Sequence, residues 1–315
     1  MAETPQWKDS MIMDNLTCSV GVFAHNEENN IGNILDALLK QKCPPSPPPH
    51  LHEGGIDEII VISSGSTDNT NLIVKDFVRK YDKIKLFIEP VRRGKSSAIN
   101  LFIEKARNDI LVVISADTIP KNDAIEKLIR PLANHKIGMT GGRPVPVNKT
   151  DNFLGFAVNL LWKLHHRLAI FQPKLGEMIA FKKIFNAIPL ESAVDEASIE
   201  AVITKAGLKC LYVSDAIVYN KGPETLTDFI KQRKRICIGH LWLKDNQNYN
   251  VASNKLGLLL SLYISECFRN PKNIIYITGL VKLEIYSRML GYLDYYIKKK
   301  NPFIWETIKT TKKIK

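Results

Sequence analysis

The chain has 315 residues, 45% of them hydrophobic, and carries a formal net charge of +12. That length holds one large α/β domain with an appendage, and the hydrophobic content excludes a chain disordered throughout. The charge asks for an anionic partner, whether nucleic acid, acidic lipid or a phosphorylated substrate, and does not choose among them.

The opening stretch MAETPQWKDSMIMDN has neither an apolar core nor a small-residue cleavage pattern, so no signal peptide is expected and residues 1–17 read as an extension. Residues 19–24 (SVGVFA) read as a buried strand, and 30–41 as a helix with Ile31, Ile34, Leu35, Leu38 and Leu39 on one face. The segment CPPSPPPHLHEGG, 43–55, is too rich in proline for helix or central strand and is expected to be a surface connector. Strands follow at 58–63, 84–88 and 110–115, with helices at 71–81 and 96–106 between them. Repeated β-α-β units with short apolar strands predict an α/β fold: a mainly parallel sheet with helices on both faces, its ligand beyond the carboxyl ends of the strands.

Beyond residue 140 the pattern loosens. Residues 141–148 are extended, 152–171 form an aromatic helix, 176–181 a strand and 197–206 a helix. Short strands at 210–213 and 216–218 precede a basic helix at 225–239. Two apolar segments close the chain. The first, 256–268, is too short to span a bilayer. The second, 274–297, is interrupted by Lys282, Glu284, Arg288 and Asp294, and its line Ile277, Val281, Ile285, Met289 and Leu293 predicts an amphipathic helix. Residues 298–315 add seven Lys and one Glu. The expected division is 18–245 for the main domain, with halves 18–120 and 121–245, and 246–315 for a C-terminal helical region able to touch a membrane. Cys18, Cys43, Cys210, Cys237 and Cys267 are scattered and odd in number, which fits buried thiols rather than disulfides or a zinc site.

Three strands end in residues suited to a nucleotide. The first runs into His25-Asn26-Glu27-Glu28, the second into SSGSTDNT (63–70), the fourth into Ser115-Ala116-Asp117-Thr118. Gly65 permits a tight turn, and Asp68 by itself reads as a helix cap. A carboxylate at a strand end, such as Asp117, is a natural hard-metal ligand beside a diphosphate.

In order and spacing these motifs resemble the family 2 glycosyltransferases over residues 19–240. VGVFAHNEENNIGNIL stands for the family's strand and N-E pair, IIVISSGSTDNT for its D-D-G-S-T-D-x-T, and RRGKSSAIN for its R-G-K-x-x-A-x-N. ISADT partly matches the metal-binding D-x-D, Val194-Asp195-Glu196 the E-D pair that supplies the base, and QRKRI (232–236) the Q-x-x-R-W motif. The resemblance implies a GT-A fold and inverting transfer from a nucleotide sugar to an acceptor hydroxyl, on a lipid-linked, polysaccharide or other glycoconjugate acceptor. It implies that Ala24, Asn26, Glu27, Ser64, Lys95, Asn100, Ser115, Ala116, Asp117, Gln232 and Arg235 bind the nucleotide sugar. Asp117 would hold a divalent cation, Mg²⁺ or Mn²⁺, and Lys95 and Arg235 would contact the phosphates.

Between the two acids, the family register selects Glu196 as base, whereas helical angles bring Asp195 closer to the inward face of the helix that follows. The departures are Ser63-Ser64 for the D-D pair, so the nucleobase does not carry over, Ser115 for the first Asp of D-x-D, and Ile236 for the Trp of Q-x-x-R-W. Glu177 falls where the family often places a strand that contacts sugar or acceptor; a structural ion pair is its competing role. His165 and His166 read as packed or solvated, His240 as within reach of phosphates, and Arg233 and Lys234 as exposed.

A sugar-nucleotide nucleotidyltransferase of the same fold would need a glycine- and basic-rich loop where HNEENN stands. A non-catalytic nucleotide-sugar-binding scaffold fits the lost aspartates but not the retained Asp117 and Asp195-Glu196. No basic-aromatic surface motif points to nucleic acid. The expected setting is peripheral, on the anionic cytoplasmic face of the cell membrane.

Overall fold

The computed structural model describes residues 16–42, 55–251, 256–301, 303–304 and 309–311. The expected connector at 43–55 lies outside them except for Gly55, as do residues 1–15 of the expected N-terminal extension and residues 302, 305–308 and 312–315 of the Lys-rich tail. Strand β1 (Thr17–Ala24) sits at the centre, parallel to β2 (Gly55–Ser64) on one side and to β4 (Ile110–Ser115) on the other. Beyond β2 lies β3 (Ile84–Glu89), also parallel. Beyond β4 lie β7 (Met178–Lys182), antiparallel, β6 (Ile137–Pro146) and β8 (Lys209–Asn220), and the two-residue β5 (Ile119–Pro120) closes the edge.

Alternation along β1 explains the two layers. Cys18, Val20, Val22 and Ala24 face one side with α1 (Ile31–Leu39) and α4 (Ala124–Ile129), while α2 (Thr70–Lys80) adds Val74 to the same cluster. Phe23 faces the other side, against α3 (Lys95–Lys105) and α6 (Asp195–Lys205). The α/β sheet with helices on both faces is therefore the expected one. A period-2 strand in a parallel sheet buries both faces, which is why these strands read as unbroken apolar runs.

Several boundaries differ from the sequence reading; helix α6, expected from 197, begins at Asp195. The strands expected at 210–213 and 216–218 form one strand, β8, with an irregular register opposite β6. Helix α4 and strand β5 were not legible, being a few residues each. Helix α7 (Leu226–Gln247) runs eight residues past Gly239. Gly239 serves packing there: a Cβ at this position would meet Val194 at 2.7 Å, so its absence lets α7 close on the turn that carries the acid pair.

Helix α5 (Phe153–Phe171), α7, α8 (Leu256–Arg269) and α9 (Ile274–Tyr292) share a separate apolar cluster that includes Leu160, Leu164, Phe229, Leu262, Ile277 and Leu280. The expected apolar line of α9 is divided between two faces. Ile277, Leu280, Glu284, Ser287 and Gly291 are buried, whereas Ile285 and Met289 are 63% and 51% exposed. Ion pairs orient the helix. Arg233 bonds Glu284 at 2.8 Å, and Lys234 bonds Asp294 at 2.9 Å in the π-helical turn that follows. Arg233 and Lys234, expected in solvent, are therefore docking residues. Among the described residues no helix is long and apolar enough to cross a membrane.

Candidate active site

The carboxyl ends of β1, β2 and β4 lie side by side because Ala24 pairs with Ser63 and Phe23 with Ser115. Their loops are tied to one another. The Asn26 amide oxygen accepts from Thr67 N at 2.8 Å, and Glu27 N donates to Thr70 Oγ1 at 2.8 Å. Asn26 adopts φ +54°, a left-handed conformation that asparagine tolerates. Gly65 has φ +60°, and a Cβ there would meet the Arg92 backbone nitrogen at 2.8 Å, so the turn needs glycine for conformation and for space. Asp68 accepts from Thr70 N at 3.0 Å at the head of α2.

These ends open into a cleft of about 500 Å³. Ala24, Glu27, Ser64, Ser115 and Asp117 line it from the strand ends; Lys95 and Glu196 line it from the starts of α3 and α6; Gln232 and Arg235 line it from α7. Gln232 and Arg235, three apart on one helix, do point the same way. The Ser64 hydroxyl is buried without a hydrogen-bond partner.

Four expected site residues lie elsewhere. Asn26 braces the 65–70 loop as above. Ala116 is buried, its N–H on the Phe23 carbonyl at 3.1 Å. Asn100 faces away from the cleft and clamps the backbone of Ile188 through two hydrogen bonds of 2.9 and 2.8 Å, so its amide groups are spent on the loop before α6. Asp195 is fully buried and does not line the cleft; the Ser96 hydroxyl donates to it at 2.5 Å.

The acid pair is thus divided by the start of its helix. Helix α6 begins at Asp195, so helical angles apply from that residue and turn it inward, as its spacing from Ile199 predicts, while Glu196 turns to the cleft. Lys95 Nζ donates to Glu196 Oε1 at 2.7 Å. Burial would raise the Glu196 pKa, but the Lys95 ammonium holds it below the usual carboxylate range. Burial pushes Asp195 up to about 6.

Glu177, at φ +62°, also lines the cleft, and burial together with Asp117 and Glu196 raises it to about 7. Burial lowers Arg235 to about 10, against the opposing pull of Asp195, Glu196, Glu177 and Asp117. Asp117, Glu177 and Glu196 thus line the cleft beside Lys95 and Arg235, with Arg92 and Lys221 also in its wall. Among the described residues no group of three or more His, Cys, Asp and Glu could hold a metal unaided. Asp117 fits as a single protein ligand to a hard cation whose other oxygens come from a diphosphate and water.

The same cavity continues past the acids to His165, Lys174, Arg233, His240, Tyr263 and Arg288. Lys174 and Arg288 had no motif around them; Arg288 reaches the cavity through the docking of α9 on α7 and Lys174 from the loop between α5 and β7, which no local pattern encodes. His166 is packed, its Nδ1 2.9 Å from the Tyr212 hydroxyl.

Comparison with known proteins agrees with this geometry. The profile described as Glycosyl transferase family 2 matches residues 19–194. The chain is 26% identical over 259 residues to the probable glycosyltransferase YdaM of Bacillus subtilis, covering 77% of this chain and 58% of that protein. It is 30% identical over 191 residues to the glucosyl-3-phosphoglycerate synthase of Mycolicibacterium paratuberculosis, 55% of each chain. It spans little more than half the length of these relatives. Among solved structures it resembles the mannosyltransferase PcManGT of Pyrobaculum calidifontis in complex with GDP-Man and Mn²⁺, with a TM-score of 0.57 and 19% identity over 91% of this chain and 81% of that one. Sheet, cleft and sequence agree on the GT-A fold, and with its profile match covering more than half of its residues the chain belongs to glycosyl transferase family 2.

Proposed function

We propose that this protein transfers a sugar from a nucleotide-sugar donor to an acceptor hydroxyl with inversion. The observation that carries the reading is the placement of Asp117, Glu196, Lys95 and Arg235 around one cleft at the carboxyl ends of the strands. The donor diphosphate lies over Ser115 and Asp117, with Arg235 supplying a charge-assisted contact. Asp117 would hold the divalent cation, Mg²⁺ or Mn²⁺, which when bound neutralises charge on the departing diphosphate. Ala24, Glu27 and Ser64 shape the nucleoside end, and the unpartnered Ser64 hydroxyl is free to bond a base or ribose.

Glu196 is the base that takes the acceptor proton as the hydroxyl oxygen attacks the anomeric carbon. A pKa near the working pH would favour Asp195, at about 6. Access decides otherwise, because a base has to reach the proton, and Asp195 is sealed behind Ser96. Asp195 positions α6 and Ser96, and complements the helix dipole. Lys95 keeps Glu196 ionised and ready to accept.

The protein acts on the anionic, cytoplasmic face of the cell membrane, held there peripherally. The supporting observation is the outward face of α9, where Ile275, Ile285 and Met289 are more than half exposed while Glu284 is buried. A helix that turns its acid inward and its apolar side out suits an interfacial position. Release of the free nucleotide from nucleotide sugars, with Mn²⁺ present, tests the activity. No release with any donor of a broad panel would leave a binding protein of this fold.

A further inference from the structure

Beyond the acids, the cleft changes sign. This second compartment is walled by Lys174, from the loop before β7, by Arg233 and His240 of α7, by Arg288 of α9 and by His165 of α5. Its acid, Glu284, is already engaged, with Arg233 Nη2 at 2.8 Å and Arg288 Nε at 3.5 Å. Glu200 of α6, the other carboxyl acting on Lys174, accepts from the Tyr249 hydroxyl at 2.7 Å. Lys174 Nζ makes no hydrogen bond or ion pair with any described residue. Burial, then Arg233 and Arg288, lower its pKa to about 7. Burial and then Lys174 keep His165 and His240 neutral at physiological pH, and His165 gives its ring N–H to the Lys174 backbone.

An ammonium set beside two guanidinium groups inside a protein either gives up its proton or is stabilised by an anion that joins it. The two ends of the cleft are also distinct in charge. Lys95 and Arg235 answer to Asp117, Glu177, Asp195 and Glu196, whereas Lys174 answers to Arg233, Arg288, Glu284 and Glu200. The donor diphosphate belongs at the first end, beside Asp117, which leaves the second for another anion.

We propose that this compartment binds an anionic group carried by the acceptor, a phosphate ester, held by Lys174 and Arg288 with His240 as a neutral donor. The proposal rests on the transferase reading above and narrows its substrate class. The phosphate anchors one end of the acceptor while a hydroxyl elsewhere on it extends along the cavity toward Glu196. Phosphate is favoured over a carboxylate because the Lys174 ammonium, the Arg288 guanidinium and the His240 imidazole converge from two helices and a loop, matching three acceptor oxygens.

The test is calorimetric titration of the full chain, with Mn²⁺ and a ribonucleoside diphosphate filling the donor end. The probes are phenyl phosphate for a soluble ester and dodecyl phosphate for a lipid-borne one. At least one should bind the wild type, and Lys174→Met and Arg288→Gln should each weaken it about tenfold or more while nucleotide affinity stays unchanged. At pH 8 the wild type should take up a proton on binding, because the anion restores the charge of Lys174, and Lys174→Met should not. Stronger binding of dodecyl phosphate identifies a lipid acceptor; equal binding identifies the phosphate group alone as the recognised element. If neither probe binds, or the variants bind them as the wild type does, the proposal is wrong. Loss of nucleotide binding in the wild type would instead count against the transferase reading, so the two failures are separable.

Discussion

Lys95 and Glu196 open two helices that lie on the same side of the sheet, and their side chains meet at 2.7 Å across the cleft although 101 positions separate them in the chain. The first lysine of one motif thus sets the charge state of the acid in another.

That contact predicts a pH effect. Glu196 is held below the ordinary carboxylate range, so the acid limb of kcat should lie below that range in the wild type. Lys95→Met removes the opposing charge and leaves burial to act alone, so the limb should move upward. The kcat–pH profile of the two proteins checks it; an unshifted limb would show that Glu196 is not the titrating base.

Asp117→Asn should lower turnover at least about 100-fold, since cation-assisted departure of a diphosphate is worth several kcal/mol. The fold should be retained, because Asp117 lies in the cleft and not in the core. Circular dichroism and nucleotide release in Mn²⁺ check both parts. Wild-type turnover that survives chelator would contradict the role given to Asp117.

Glu284→Gln should destabilise the protein by about 3 kcal/mol at pH 7, because it strands the largely buried Arg233 guanidinium and takes the partner from the half-exposed Arg288. The folded-state pKa of Glu284 is depressed by Arg233 and Arg288 against burial, so its contribution is present above the unfolded carboxylate value and is lost as pH falls through the folded one. Urea unfolding should therefore show the gap between wild type and variant closing in acid.

The motifs carried much of this in their local order. Strand ends at Ala24 and Ser115 follow from apolar runs that stop at polar residues, and β2 and α3 lie within one residue of the expected end and start, whereas α6 begins at Asp195, two residues before the expected 197. What escaped the sequence depends on tertiary contact. The acid in α9 reads as a break in an apolar stripe, yet it is buried against Arg233 and leaves Ile285 and Met289 on the exposed side. Asn100 sits in a motif that suggests nucleotide binding, but its amide matches the backbone of Ile188, a partner 88 residues away.

Binding to vesicles tests the outward face of α9. Vesicles with anionic lipid should sediment the protein at low salt, each nearby lysine contributing on the order of 1 kcal/mol, and binding should weaken in high salt. Ile285→Glu with Met289→Glu should abolish it without loss of soluble nucleotide binding. If the wild type ignores vesicles and runs as a dimer that these changes dissociate, the face joins two copies instead.

The most direct measurement of the central claim compares Asp195→Asn and Glu196→Gln for transfer and for donor affinity in the same assay. Glu196→Gln should bind donor as the wild type does and transfer about 100-fold more slowly or worse, the scale for loss of a general base. Asp195→Asn should keep its neutral hydrogen bond from Ser96 and retain most of the transfer rate. Near-normal transfer by Glu196→Gln, with the large loss falling on Asp195→Asn, would contradict the assignment.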